Sequence, residues 1–489
     1  MFITVVAPAL AGALLAACGL PQPWSALSAL PLALVFALIA RAPTARAASA
    51  AAFWAGLAYF TVQLFWLPVS FSAGFGAFGA VMFVPVILLQ AGFWALTAWL
   101  TARAVREPLA RGWALAGAWT LLSYARTLGP LPFPWADVGY TLLPTPLVQV
   151  ADLVGVHGLN LLVALTASAL VAAVWGAWRP LLGVLVLLAG GTTYGVIAGR
   201  APLTAGGPEG RALLLRTDID SFEKATQSAT VPLVEQSRTL SAARRPDEIV
   251  VWSETALPDP SYLPQFPAPG LSGLGFFTFD ERGQLTARMN TAVSITPDVR
   301  IGARYDKAHP VPFGELFPLR DELNAVYAAV EQHITHFPLA STRPGEARAP
   351  LTLNGVAYGT YICYDSIFPA VTRALAHNGA QVLVNVSNDG WFVGWGVEQH
   401  LMMGRVRAIE TRRYVLRSVN RGVAAVIDDL GRVVQRLDHG EGVLHARFVP
   451  STAQTVYVRV GDAPALVAAA LLVLLAVGVD GRARRRRLY

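Results

Sequence analysis

Residues 1–200 are one apolar run after another, nearly free of Asp, Glu and Lys, and this constrains the fold more than any other feature of the chain. A helix that crosses a bilayer needs about 20 mostly apolar residues. Eight segments meet that description, at approximately 3–20, 24–40, 49–67, 78–101, 111–127, 157–176, 180–198 and 464–480. Residues 201–460 lie between the seventh and the eighth and carry charge like an ordinary globular protein. The average over the 489 residues, 54% hydrophobic and 14% charged, therefore describes two different parts. An ordinary soluble domain is roughly 45–50% apolar and 25% charged. The expected organisation is a membrane domain of seven transmembrane helices over 1–200, a soluble domain over 201–460, and an eighth helix with a basic cytoplasmic tail over 461–489.

The basic residues orient these spans. With the N-terminus in the cytoplasm, Arg41, Arg46, Arg103, Arg106, Arg111 and Arg179 all fall in inside loops. The outside loops around Pro21–Trp24 and Val69–Ala77 carry no charge. Seven spans then deliver residues 200–463 to the outside. The eighth returns the chain, so that Arg482, Arg484, Arg485, Arg486 and Arg487 end inside, as the positive-inside rule asks. This placement accounts for the net charge of +7 and excludes nucleic acid as the partner. The run ending Leu15-Ala16-Ala17-Cys18 resembles a lipoprotein signal, but it lacks a basic leader and seven spans follow, so it reads as an anchored helix. The two cysteines, Cys18 and Cys363, sit in different parts of the chain and predict no disulfide.

In the soluble part, strands are predicted at Ala212–Arg216, Glu248–Trp252, Gly275–Phe279, Thr291–Ile295, Val356–Cys363, Gln381–Val386 and Val423–Ile427. Helices are predicted at Glu223–Ala243, Ile367–Asn378 and Glu398–Arg413. Alternating strands and helices imply an α/β layered domain.

Three segments place a reactive side chain at the end of an apolar strand. Glu254 follows Val250-Val251-Trp252-Ser253 and precedes a Pro-bounded turn. It suits a general base, or equally a loop carboxylate that caps the next helix. Lys307 and Glu315 flank a loop stiffened by Pro310, Pro312 and Gly314. The lysine can offer a cation to an oxyanion and the glutamate can orient a neighbour, or both are surface charges. Cys363 ends Gly359-Thr360-Tyr361-Ile362. It is either an inert core residue or a nucleophile that needs a nearby base or cation to become a thiolate. Spacing alone does not decide whether the three meet.

Together the three segments resemble the nitrilase, or carbon-nitrogen hydrolase, superfamily, with its Glu–Lys–Cys triad on an αββα sandwich. Further motifs resemble one family within it, the apolipoprotein N-acyltransferases. These are Phe133-Pro134-Trp135 with Gly139-Tyr140, Val311-Pro312-Phe313-Gly314-Glu315 after Lys307, Ile362-Cys363-Tyr364, Ser387-Asn388-Asp389-Gly390-Trp391-Phe392, Gln399-His400, Arg405 to Glu410, and Arg417 to Gly422. Two departures stand out. Asp365 occupies a position that the family usually fills with Glu, and no tryptophan stands near Lys224, after Arg216-Thr217-Asp218-Ile219-Asp220.

The resemblance implies a polytopic helical membrane domain with a nitrilase-like domain outside the bacterial inner membrane. It implies that Glu254, Lys307 and Cys363 are catalytic. Asn290, Glu315, Tyr364, Asp365, Trp391 and Phe392 are the expected supporting or substrate-binding residues. The implied reaction passes a fatty acyl group from a phospholipid, through a thioester on Cys363, to the N-terminal amine of a diacylglyceryl apolipoprotein. No cofactor or metal is expected, and a monomer is. His333 and His336 have a possible ligand spacing but are expected to be surface residues. Two loops, Tyr262–Phe277 and Trp391–Val397, are expected to form a lipid-facing mouth with Phe276, Phe277 and Trp395. The competing readings are a membrane-tethered amidase or nitrile hydrolase, in which water takes the acyl group, and a non-catalytic scaffold.

Overall fold

The structure is a computed structural model that describes residues 2–200, 208–225, 228–279, 285–335, 339–346 and 348–486. His336 and Arg487 lie outside the described residues. The chain divides into two compact units. One comprises Met1–Val69, Ala80–Arg200 and Val460–Tyr489, and the other Ser70–Gly79 and Ala201–Arg459.

The first unit is helical. Among the described residues, five helices are long and apolar enough to cross a membrane: Pro23–Ala40, Ala77–Ala104, Pro146–Val174, Arg179–Ala198 and Ala463–Ala483. Thr4–Gly19 is a shorter apolar helix. Helices also form at Ala45–Gln63 and Pro108–Ala125, over two more of the expected spans, but they are less apolar. Their composition follows from where they sit. Ala48, Ala51, Ala52, Ala55 and Gly56 of the first face other helices, and a Cβ on Gly12 would collide with the Ala55 backbone. Membrane helices use small residues where backbones approach closely.

Two arginines in this unit satisfy backbone carbonyls that a helical hairpin would otherwise leave unpaired. Arg111 is buried rather than set in a loop. It donates from Nη1 to Ala40 O at 3.0 Å and Ala42 O at 2.8 Å, and from Nε to Val105 O at 2.9 Å. Arg126 donates to Phe133 O at 2.9 Å and Trp135 O at 2.5 Å, pairs with Asp137 at 3.1 Å, and bonds Gln90 at 2.8 Å. Asp137 accepts from Ser123 at 2.7 Å, which Asn160 also bonds, while Asn160 Oδ1 accepts from Gly139 N at 2.5 Å. The Phe133–Tyr140 segment thus has an internal hydrogen-bonded frame.

The second unit is built on a sheet of twelve strands among the described residues. They are β1 Gly210–Thr217, β2 Ile249–Val251, β3 Gly270–Phe279, β4 Leu285–Ile295, β5 Ile301–Asp306, β6 Leu351–Leu353, β7 Val356–Ile362, β8 Val382–Asn388, β9 Val415–Asn420, β10 Ala424–Ile427, β11 Val433–Leu437 and β12 Gly442–Phe448. The main path runs β5-β4-β3-β2-β1-β9-β8-β7-β6, with β12 on β1 and the β10–β11 hairpin on β9. Strands β3, β2, β1, β9, β8 and β7 are parallel along it. Yet β4 touches β7, six places away, and β5 touches β6. The sheet therefore doubles back into two layers. Helix Thr230–Ser241 packs on β1, and helix Pro369–His377 on β7. Helices outside two sheet layers give the expected αββα architecture.

Two expectations are corrected. The segment 262–277 is not a loop. Pro260–Gln265 is a turn of 3-10 helix, Phe266 and Ala268 are core residues, and β3 starts at Gly270. The cause is packing: Phe266 lies edge-on against the fully buried Trp252, with ring centroids 5.3 Å apart, and Trp252 Nε1 donates to Ser241 Oγ at 2.9 Å. The single helix expected over 223–243 is instead two, Ser221–Ala225 and Thr230–Ser241.

Candidate active site

In parallel sheets, the chain leaves each strand at its carboxyl end, and side chains just beyond converge there. Glu254 follows β2, Cys363 follows β7, Asn388 closes β8 and Asn420 closes β9. Lys307 follows β5, which reaches the same place through the β4–β5 pairing, Thr291 opposite Asp306.

Glu254 is only 4% exposed, and three donors hold its carboxylate. Lys307 Nζ lies 3.1 Å and Asn290 Nδ2 2.6 Å from Oε1, while the Asn388 backbone N–H donates to Oε2 at 2.7 Å. The turn carrying it is strained, with Thr255 at φ +46°. Strand β3 crosses it so closely that a Cβ on Gly273 would stand 2.6 Å from Glu254 Cα, so only glycine fits there.

Lys307 is shared between two carboxylates, since Nζ also lies 2.7 Å from Glu315 Oε2. Glu315 accepts from Val311 N at 2.9 Å and from Asn290 Nδ2 at 2.9 Å. Burial opposes the Lys307 charge, but Glu254, Glu315 and Cys363 outweigh it and hold the ammonium well above its ordinary value. Burial likewise opposes ionisation of Glu315, and Lys307 with the Val311 and Asn290 hydrogen bonds pulls it below its ordinary value.

Cys363 opens the 3-10 turn Cys363–Ile367 with φ +45°, a left-handed conformation that costs a non-glycine residue about 1–2 kcal/mol. Its thiol is buried and forms no disulfide. Burial, and then the Glu254 carboxylate, push the thiol up, while Lys307 and a hydrogen bond with Ser387 pull it down. The resting group is a thiol with the Glu254 carboxyl and the Lys307 ammonium as neighbours. Such a site can pass the thiol proton to the carboxylate as sulfur attacks an electrophile, with the ammonium facing the charge that develops.

Asp365 bridges this turn to the lysine loop. Its carboxylate accepts from Tyr305 Oη at 2.9 Å, His309 N at 2.9 Å, Ala308 N at 3.3 Å and Ile362 N at 3.3 Å. It is fully buried, so the shorter side chain is matched to its pocket. Tyr364 is buried and packs edge-on against Phe368 at 5.3 Å. Trp391 is half-buried in the turn Asp389–Trp391, and Phe392 lies 4.9 Å from the His400 ring. Phe276 and Phe277 are half-buried on β3, and Trp395 opens helix Trp395–Thr411.

Behind Cys363 lies a network to which sequence reasoning assigned no role. His400 Nε2 is 3.2 Å from Cys363 O and 2.5 Å from Ser366 Oγ, and its Nδ1 is 3.0 Å from Asp389 Oδ1. Arg417 pairs with Asp389 and bonds Asn385 Oδ1 at 2.6 Å, and Ser387 donates to Asp389 at 2.6 Å. Burial holds His400 below its ordinary value, so it is neutral there at neutral pH. The available signal was the run of motifs containing Ser387, Asp389, His400 and Arg417. Lys224 was also missed: its buried Nζ donates to the Glu254 carbonyl oxygen. His333 is exposed, and among the described residues no group of three or more His, Cys, Asp or Glu is placed to hold a metal.

The α/β unit and its Glu–Lys–Cys constellation define a protein of the carbon-nitrogen hydrolase class, and the Carbon-nitrogen hydrolase family matches residues 271–457. Residues 11–169 match the Apolipoprotein N-acyltransferase N-terminal domain. The apolipoprotein N-acyltransferase of Pseudomonas paraeruginosa is 30% identical over 98% of this chain and 96% of its own. That of Bordetella bronchiseptica is 31% identical over 98% and 97%, and that of Geobacter metallireducens 30% over 84% and 82%. Among solved structures, a carbon-nitrogen hydrolase from Helicobacter pylori G27 overlays 52% of this chain and 92% of its own at 18% identity, with a TM-score of 0.36. The chain belongs to the apolipoprotein N-acyltransferase family.

Proposed function

We propose that this membrane enzyme transfers a fatty acyl group from a phospholipid to the N-terminal amine of an S-diacylglyceryl-cysteine on an apolipoprotein, by way of a thioester on Cys363. The observation that carries the reading is the meeting of Cys363, in a strained strand-end turn, with the Lys307-bound carboxylate of Glu254. Its second support is the end-to-end likeness to relatives named for apolipoprotein N-acylation.

In the first half-reaction, Glu254 takes the thiol proton while sulfur attacks an ester carbonyl of the phospholipid. Lys307 and the Tyr364 backbone N–H stabilise the oxyanion. A lysophospholipid leaves with a proton returned by Glu254. In the second half-reaction, the lipoprotein amine attacks the thioester, the amide forms and the thiol is restored. Covalent storage lets two bulky lipids use one site in turn. Acyl chains exposed to water cost about 0.8 kcal/mol per methylene, which favours a site open to the bilayer surface.

The orientation follows the arginines: a membrane domain over 1–200, the catalytic domain over 201–460 on the periplasmic side, and the last span and tail over 461–489 returning to the cytoplasm. The chain acts as a monomer, and Trp391 and Phe392 are supporting or substrate-binding residues. The test supplies purified protein with a phospholipid and a diacylglyceryl peptide. Lysophospholipid and N-acylated peptide should appear together, and Cys363→Ala should abolish both. Release of free fatty acid with no acylated peptide would favour the amidase-like alternative. Full transfer by Cys363→Ala would favour the scaffold.

A further inference from the structure

The charges around Cys363 do not balance within the triad. Lys307 is shared by two carboxylates, Glu254 at 3.1 Å and Glu315 at 2.7 Å. Asp389, whose field also reaches the thiol, is answered by Arg417. That leaves negative charge in excess before any thiolate or oxyanion forms, and the buried carboxylate of Asp365 also lies in the field of Lys307. A buried site with uncompensated negative charge resists ionising a thiol.

A second ammonium is present. Lys224 lies in the short helix Ser221–Ala225, only 8% exposed, and its Nζ donates to the main-chain carbonyl of Glu254. Among the described residues it forms no salt bridge with a carboxylate. The charged or titratable groups that face it are Glu254 and Cys363. We infer that Lys224 is a further positioning residue of the acyl-transfer site, a second cation that holds the Glu254 turn and neutralises the excess charge so that Cys363 can become a thiolate. Burial pushes its ammonium down to about 8, with Glu254 and Cys363 pulling the other way, so its proton is strengthened by any negative charge that grows on sulfur. This rests on the reading of Cys363 as the nucleophile.

The test follows alkylation of Cys363 by iodoacetamide from pH 6 to 10 in the full-length protein in detergent, since only the thiolate reacts. Lys224→Met should move the profile to higher pH and slow alkylation at pH 7.5 by about tenfold, the effect of one pKa unit. Lys224→Arg should restore it. A charge-balance role also predicts that the double variant Lys224→Met with Glu315→Gln returns towards the wild-type profile, which a purely structural role would not produce. Should Lys224→Met not fold, Lys224→Gln keeps a donor for the Glu254 carbonyl without the charge and should show the same shift. Superimposable profiles for the wild type and a folded neutral variant would overturn the inference. Absence of an acyl adduct on wild-type Cys363 would instead overturn the functional reading, so the two failures are distinct.

Discussion

The amide nitrogen of Asn290 stands 2.6 Å from Glu254 Oε1, and the same nitrogen reaches Glu315 Oε1 at 2.9 Å. One neutral donor thus spaces the two carboxylates that share Lys307. Hydrogen bonds to charged groups contribute about 1.5–3 kcal/mol. Asn290→Ala should therefore lower kcat by about 10- to 100-fold, at about tenfold per 1.4 kcal/mol, while the protein stays folded. Steady-state transfer kinetics with a circular dichroism control would check this. Unchanged kcat would mean that Lys307 and the Asn388 N–H set the position of Glu254 without it.

Asp365 tests whether the shorter carboxylate is a defect or a fit. Its pocket is closed, so Asp365→Glu should overpack it and cost about 1–3 kcal/mol, seen as a lower Tm. Burial works against its charge, but the His309 hydrogen bond and charge, Lys307 and Tyr305 hold the carboxyl below its ordinary value of 3.8. A depressed folded value stabilises the protein above the unfolded value, and that stabilisation is lost as pH falls through the folded one. Asp365→Asn should thus flatten the loss of stability below about pH 3.8. An unaltered acid limb in thermal unfolding would contradict the assignment.

In the helical unit, Arg126 and Asp137 form an ion pair with side chains only 4% and 6% exposed. Removing one partner of a buried pair costs about 3–5 kcal/mol, whereas replacing both with apolar groups can be close to neutral. Arg126→Met should lower Tm strongly, and Arg126→Met with Asp137→Leu should recover part of the loss. Equal losses in both variants would place the role of Arg126 in its bonds to Phe133 O and Trp135 O instead.

What was legible in the chain depended on locality. An apolar strand followed at once by Glu254 or Cys363 is a local pattern, and so are the apolar runs. Strand β3 was legible only over its second half, Gly275–Phe279, because the Pro- and Gly-rich stretch that precedes it and forms its start reads as a loop. It becomes a strand through Trp252 packing on Phe266, and Gly273 is required by the crossing chain rather than by a turn. Lys224 carries no local mark of burial, since a lysine in a helical stretch normally points to water. The link from Asp389 through His400 to Cys363 joins residues brought together only by the sheet.

The most direct measurement is the intact and peptide mass of protein incubated with phospholipid and no acceptor. The account predicts one fatty acyl chain on Cys363, cleaved by hydroxylamine, absent from Cys363→Ser under the same treatment, and discharged when a diacylglyceryl peptide is added. Efficient acylation of that peptide by a protein whose Cys363 never gains an acyl mass would contradict it.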